Sequence, residues 1–535
     1  MAPTISLVFG GLAATYFFLR FLLNLTQDAR EPPAILTGIP FIQPLVGMIR
    51  EKERFYIRLR DTTRLPIYTL RLPFQRIYVV NATELIPVVQ KQWRLISFAA
   101  IAADAGDVVG MSKEALAVMK ADLTSDHGFS TSWPKYIMPV MAPGPDLDAI
   151  NRRAIELYVS ELAKLRAQGA PTVVGLRDWS RKMMVDSTSE AIWGPQNPYR
   201  DPVVADAWKT FEAGFLTLAM FPMARLFFPR LVRAREIAAK AMIDYMHRDG
   251  YKTASGLVKK RVAHHRDLFG LSKDDIGRGE LGNTFAVLGN TAPCALWVLY
   301  HIFSDAAVLA DVRRELAALV EDEGTDAEGH PVSAIDLARI KDSCPALLST
   351  FQETLRFRAV NPGPRVVLED VLLDGGRILL KKGSMLMIPA PVQHTDAAAW
   401  GDDARAFDHL RFARKKQPGP GPDLGRPRPN NRVAFRAFGG GHVLCPGRHF
   451  AATEILSLAA LLALQFDVVP TAGAWAEPTW HNSPSQAGFP VIDQDIPVEL
   501  RPRDPRRRWR VTFSGSDKAM EIVSEDIAAG GRGAM

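Results

Sequence analysis

Residues 435–451 read FRAFGGGHVLCPGRHFA. Gly439, Gly440 and Gly441 carry no Cβ, so a flat ligand can approach the backbone closely here, and Phe438 offers an aromatic wall. Cys445 stands directly before Pro446, and an apolar run with helical spacing follows from Arg448 to Leu464. Proline is favoured at a first helical position. That predicts Cys445 at a helix amino terminus, where free N–H groups and the helix dipole stabilise an anion. Such a setting lowers a thiol pKa and favours the thiolate. A thiolate in a glycine-rich pocket is a good axial ligand for heme iron. The bland alternative is a glycine turn beside a buried cysteine.

The other cysteines, Cys294 and Cys344, lie far from Cys445 and from each other. Three in all is an odd number, which excludes a disulfide scaffold, and no CxxC pair offers a zinc site. Cys294 and Cys344 read as buried filler. Of 535 residues, 47% are hydrophobic and 23% charged, an ordinary globular composition that excludes collagen, a largely disordered chain and a multi-span membrane protein. The formal net charge of +7 suits anionic lipid or an acidic partner. No finger, RNA-binding or helix-turn-helix signature accompanies it, so no nucleic-acid partner is expected.

Upstream, Ile5–Leu25 reads ISLVFGGLAATYFFLRFLLNL, just long enough to cross a bilayer core, with Arg20 able to snorkel to the interface. A cleaved signal peptide fits less well, because no basic region precedes the run. Arg30, Arg50, Lys52 and Arg54 follow it, which places the body on the cytosolic side. Residues 1–27 are therefore expected to be a transmembrane anchor. Residues 28–50, with Pro32, Pro33, Pro40 and Pro44, are expected to be a stiff extended hinge. A single domain over 51–515 and a partly disordered tail over 516–535 complete the division.

Within the body, 64–80 alternates as strands do, and 366–388 reads as short strands joined by turns. Asp146–Leu165 and Val203–Met246 have helical periodicity. Gly282–Phe303 is nearly uncharged and is expected to be one long helix buried on most sides. Residues 415–432 form a proline- and glycine-rich excursion. Two distant pieces matter most. Glu353 and Arg356 lie three apart on a predicted helix, and Phe407–Phe412 (FDHLRF) supplies Arg411.

Together these residues resemble the cytochrome P450 family. Its heme signature, Phe-x-x-Gly-x-Arg/His-x-Cys-x-Gly, is matched by Phe438, Gly441, Cys445 and Gly447, with Val443 where the family usually has Arg or His. Glu353 and Arg356 match its Glu-x-x-Arg motif. His409–Phe412 is similar to its Pro-x-Arg-Phe segment, with His409 in place of the proline. The resemblance implies a mainly α fold with a small β lobe, a triangular helical prism, preceded by a single transmembrane helix. It implies heme b (iron protoporphyrin IX) with Cys445 as the proximal metal ligand, cradled by Phe438, Gly441 and Gly447. Arg365 is implied to pair with a propionate; Val443 leaves a second propionate contact open, with His442 and Arg448 as the nearby candidates and neither preferred. Glu353, Arg356 and Arg411 would form a buried structural network.

The family often carries an acid–Thr pair on the long helix. Here Gly289-Asn290-Thr291-Ala292-Pro293 puts Ala292 and Pro293 in those places. The pattern is similar to the branch holding sterol 7α-hydroxylases and prostacyclin synthase. Independently of that likeness, Pro293 cannot donate to the carbonyl of Gly289, so a kink is expected there, with room for dioxygen and with Asn290 able to donate to it. Asn290, Thr291 and Pro293 are thus the candidate catalytic residues. Substrate contacts are expected within 95–130 and 205–235. His394 reads as a strand-end packing residue.

The activity implied is hydroxylation of a small apolar molecule with O2 and electrons from NADPH, delivered by cytochrome P450 reductase, with cytochrome b5 as a second donor. The likeness to fungal enzymes of specialised metabolism points to a terpenoid, sterol, polyketide or alkaloid. The implied location is the endoplasmic reticulum membrane, single-pass. Arg501–Arg510 is a candidate reductase-docking face. The alternative is a heme-thiolate isomerase acting on a peroxide without a reductase.

Overall fold

The computed structural model describes residues 2–36, 38–220, 223–413, 432–484, 487–515, 520–523 and 526. Its helical centre is the segment Thr291–Phe303, every residue of which is buried. Around it pack Leu176–Trp193, Pro345–Arg358 and Arg448–Gln465. Apolar residues ring Thr291–Phe303 rather than striping one face, as deep burial requires. Side-chain caps start several of the outer helices: the hydroxyls of Ser112, Ser255 and Ser272 each accept from a backbone N–H in the first turn, satisfying donors that have no intrahelical partner.

A five-stranded sheet makes the β lobe, in the order Ile67–Leu72, Gln75–Val80, Met385–Met387, Pro364–Val367, Ile96–Ser97. The first two strands pair antiparallel with Ile67 opposite Val80. The expected strands at 64–80 and 366–388 are therefore present, including the small hairpin Val371–Leu373 with Ile378–Leu380.

At the amino terminus, the helix Ala2–Thr26 contains an apolar window, Phe9–Thr26, of mean hydropathy 1.2 that is only 6% buried. A second apolar stretch, Lys273–Phe303, is 67% buried within the fold, which accounts for its composition as core. The proline-rich hinge is not free-standing. Ala34 bridges Thr69 in parallel, the Thr69 hydroxyl donates to the Pro32 carbonyl at 2.6 Å, and buried Glu31 accepts from the Tyr78 hydroxyl at 2.8 Å. Its second half is a helix, Gln43–Arg50, with Pro44 in the first turn, where a missing N–H costs nothing.

One further expectation changes. The long helix is two helices, Lys273–Leu288 and Thr291–Phe303. In the basic segment 501–510, Arg501 pairs with Glu499 at 2.6 Å, Arg507 with Asp504 at 3.1 Å, Arg508 with Glu328 at 3.6 Å, and Arg510 with Glu323. The excursion at 415–432 and the tail end at 528–535 lie outside the described residues, apart from the short turn beginning at Arg432. The described part of the tail is packed. Met520, Ile522 and Val523 are buried, Gln352 donates to the carbonyls of Glu521 and Ile522, and Asp526 pairs with Arg448 at 2.6 Å.

Candidate heme-thiolate site

The Cys445 loop is built on glycine. Gly439 and Gly441 have φ of 77° and 60°, the left-handed region that side chains avoid. A Cβ on Gly439 would lie 2.6 Å from the Val443 carbonyl oxygen, and one on Gly440 would lie 2.5 Å from the Arg436 guanidinium. The Cys445 N–H donates to the Phe438 carbonyl at 2.9 Å, closing the loop. The helix begins at Arg448 with Gly447 as its cap, so Pro446 sits before the helix and not at its first position.

Cys445 is half-buried. Burial pushes its thiol pKa up, against the opposing pull of the Gly447 N–H and the Arg448 charge. The expected depression is thus absent for the bare thiol, because desolvation outweighs the helix terminus. A cationic partner at sulfur would reverse that balance. Cys294 and Cys344 are buried, and burial raises both thiols, Cys344 to about 12, which fits their reading as filler.

Arg365 is buried, donates to the Gly363 carbonyl at 2.8 Å, and has its pKa lowered to about 10 by burial and by the neighbouring charge of Arg436. Two guanidinium groups brought together in a buried place suit an anionic group between them. The propionates of a heme are such anions, so the donor set fits the cofactor implied by the loop. Arg436 was missed from sequence, although it lies two residues before Phe438; no local pattern marks which way an arginine in a loop turns. Both candidates for the contact left open by Val443 have other partners. His442 stacks on Trp93 with ring centroids 4.4 Å apart, and Arg448 is engaged by Asp526 and by the Cys445 carbonyl.

Glu353, Arg356 and Arg411 form the expected network with all three side chains fully buried. Arg356 donates to both Glu353 oxygens at 2.7 Å, and the Arg411 Nε donates to the same carboxylate at 3.0 and 3.1 Å. His409 takes the proline's place by bonding Asp311 at 2.9 Å. His394 ends a short helix, Ala390–His394, rather than a strand. Its carbonyl accepts from Arg356 and its Nε2 accepts from the Arg436 N–H at 2.8 Å. Burial and the Arg356 charge lower its pKa to about 3. It thereby ties the network to the loop that carries Cys445.

On the other wall, the break falls at Gly289–Asn290, and Pro293 lies in the first turn of the second helix. The proline is accommodated there because its missing N–H belongs to the orphan set of any helix start. The Asn290 Oδ1 accepts from the Gly488 N–H at 2.8 Å, and the Thr291 hydroxyl donates back to the Val287 carbonyl at 2.8 Å. A cavity of about 280 Å³ abuts the break, with Gly289, Ala292 and Pro293 on one side and Arg181 and Glu212 on the other. Arg181 and Glu212 pair at 2.6 Å. That pair was missed: Glu212 lies within the segment expected to meet substrate, but no spacing connects it to the break.

Comparison with known proteins agrees with this architecture. The family model described as Cytochrome P450 matches residues 33–480. A cytochrome P450 monooxygenase, nodJ, of Hypoxylon pulicicidum is 31% identical over 91% of this chain and 94% of its own. Cytochrome P450 7B1 of Mus musculus is 23% identical over 84% of this chain and 86% of its own, in keeping with the likeness of the distal helix. The solved structure of a retinoic acid bound cyanobacterial CYP120A1 superposes with a TM-score of 0.66 at 18% identity, covering 89% of this chain and 100% of that one, which concerns the fold alone. The glycine loop, the buried Glu–Arg–Arg network and the family match across most of the length lead to one conclusion: this chain belongs to the cytochrome P450 family and is a monooxygenase.

Proposed function

We propose that the protein is a membrane-anchored heme-thiolate monooxygenase that oxidises a small apolar molecule, with Cys445 as the proximal ligand. The observation that carries this reading is the meeting of the Cys445 loop with the buried pair Arg365 and Arg436, a donor set suited to iron on one side and to carboxylates at the edge. Phe438, Gly441 and Gly447 would line the proximal face. When bound, the heme supplies the oxygen activation and hydrogen abstraction; the protein supplies orientation and dryness. The His394 bridge holds the Cys445 loop against the Glu353 network. Pro293 and Ala292 would wall the distal side, and the Asn290 Oδ1 accepts from the Gly488 N–H, which orients its Nδ2 as the donor.

Electrons would come from NADPH through cytochrome P450 reductase, with cytochrome b5 as a second donor. The apolar helix Ala2–Thr26 supports single-pass anchorage in the endoplasmic reticulum with the body in the cytosol. A terpenoid, sterol, polyketide or alkaloid is the substrate class this reading proposes. Replacing Cys445 by Ala is expected to abolish the thiolate-type Soret band of the reduced carbon-monoxide complex; its survival would sink the ligand assignment. A second reading, rearrangement of a peroxide without reductase, is favoured by the Thr291 hydroxyl being turned back onto its own helix. Turnover strictly dependent on NADPH and reductase supports the first; conversion of a peroxide without either supports the second.

A further inference from the structure

We propose that Glu212, positioned by Arg181, is the carboxylate that passes protons to the break in the distal helix. The inference rests on the monooxygenase reading and deepens it. Hydroxylation consumes one dioxygen, two electrons from NADPH through the reductase and two protons, and returns the alcohol and one water. Those two protons must cross a dry wall. The residues at the break cannot carry them. Leu288 to Cys294 reads LGNTAPC, without carboxylate or imidazole; the Thr291 hydroxyl is committed to the Val287 carbonyl and the Asn290 Oδ1 to the Gly488 N–H. The Cys294 thiol is buried and pushed far up in pKa by that burial.

Glu212 comes to the gap from a different helix, Pro202–Met220. A methyl group built on Gly289 would lie 3.3 Å from its Oε1, so the carboxylate touches the wall where the helix is interrupted. The tighter contact of such a methyl, 2.7 Å, would be with the Phe285 carbonyl oxygen. The same carboxylate lines the cavity of about 280 Å³ that reaches Ala292 and Pro293. A volume of that size has room for several waters beside the charged Arg181–Glu212 pair. The Glu212 side chain is 15% exposed and its partner Arg181 23% exposed, which leaves the pair reachable from solvent yet sheltered. Arg177, the other guanidinium nearby, is already committed to Asp178 and to the Ile492 carbonyl. Glu212 takes a proton from cavity water and releases one to water at the break. It is neither oxidised nor consumed, and Arg181 holds the carboxylate in place through the 2.6 Å pair.

The test uses the heme-loaded full chain with reductase and NADPH, and needs no knowledge of the substrate. Glu212→Gln is expected to slow NADPH oxidation about tenfold or more, in keeping with loss of a positioned acid–base group, and to raise the H2O/D2O rate ratio above that of the unaltered protein. Glu212→Asp is expected to recover part of both, while the reduced carbon-monoxide spectrum and melting temperature of both variants stay unaltered. A second readout avoids turnover. In dithionite-reduced protein with carbon monoxide, the C–O stretching band of Glu212→Gln is expected to differ from that of the unaltered protein. Unchanged rate and isotope ratio in Glu212→Gln, or a C–O band the same in both proteins, would overturn the relay. Loss of the carbon-monoxide spectrum in both variants would also overturn it, by making Glu212 structural. If the unaltered protein oxidises no NADPH with reductase, the monooxygenase reading itself fails, and the relay with it.

Discussion

Replacing Arg356 by Leu tests the physics of the buried network. The substitution keeps most of the aliphatic volume and removes the guanidinium. Glu353 would keep the Arg411 Nε and the Asp408 N–H but lose both 2.7 Å bonds from Arg356. The carbonyls of His394, Ala404 and Ala406, now held at 2.7, 2.6 and 3.0 Å, would lose that donor. Breaking a buried ion pair by deleting one partner costs about 3–5 kcal/mol, and each deprived buried acceptor adds about 1–3 kcal/mol. The Ala406 carbonyl keeps a second donor, the Arg411 Nη2 at 3.3 Å, and Arg411 offsets part of the first term, so we expect a total of at least about 4 kcal/mol. That is a large share of the roughly 5–15 kcal/mol that holds a domain folded. Urea titration followed by circular dichroism measures it, with heme content as a parallel readout. Lys182→Ala, which breaks the exposed pair with Asp186, is the control and should cost less than about 1 kcal/mol. A loss for Arg356→Leu as small as that of the control would refute the reasoning.

Pro293→Ala should change stability by less than about 1 kcal/mol, because the proline lies in a first turn and not in a helix interior, where it would cost about 3 kcal/mol; a gain of that larger size in thermal or urea unfolding would contradict the placement. Gly439→Ala forces a Cβ to within 2.6 Å of the Val443 carbonyl at a φ of 77°, and we expect a loss of about 1–3 kcal/mol together with poor heme retention; normal heme content would count against the close-packed loop. The pH response of His394 has a definite sign. Its folded pKa is lowered to about 3, chiefly by burial, so the unfolded chain takes up a proton first as pH falls below about 6.5. Stability is therefore full above that value and falls toward pH 3, by about 2–3 kcal/mol at pH 4.5. His394→Gln should remove that part of the acid loss, read as urea midpoints at pH 7 and 4.5, and an unchanged pH difference would argue against a buried neutral imidazole.

Local chemistry was the legible part. The glycine loop with Cys445, the Glu353–Arg356 spacing and the strand alternation at 64–80 are written within a few residues, and each reappears in the fold. Arg411 was placed only through family likeness, since nothing near it announces a carboxylate far away in sequence. Arg436 and Glu212 escaped for the same reason: their partners, Arg365 and Arg181, reach them by tertiary packing. The thiol of Cys445 went the other way. A helix start was visible, but how far burial would outweigh it depends on surrounding atoms that spacing does not reveal. The break at Gly289–Asn290 was anticipated in kind from Pro293 and displaced in position, because a helix can restart ahead of a proline as well as bend at it.

Asp526, which clasps Arg448 and His449 just past Cys445, is nine residues from the final Met535. Chain far beyond Cys445 in sequence thus fastens the helix start next to the sulfur, so a deletion that removes Asp526 would loosen that start without altering the loop itself.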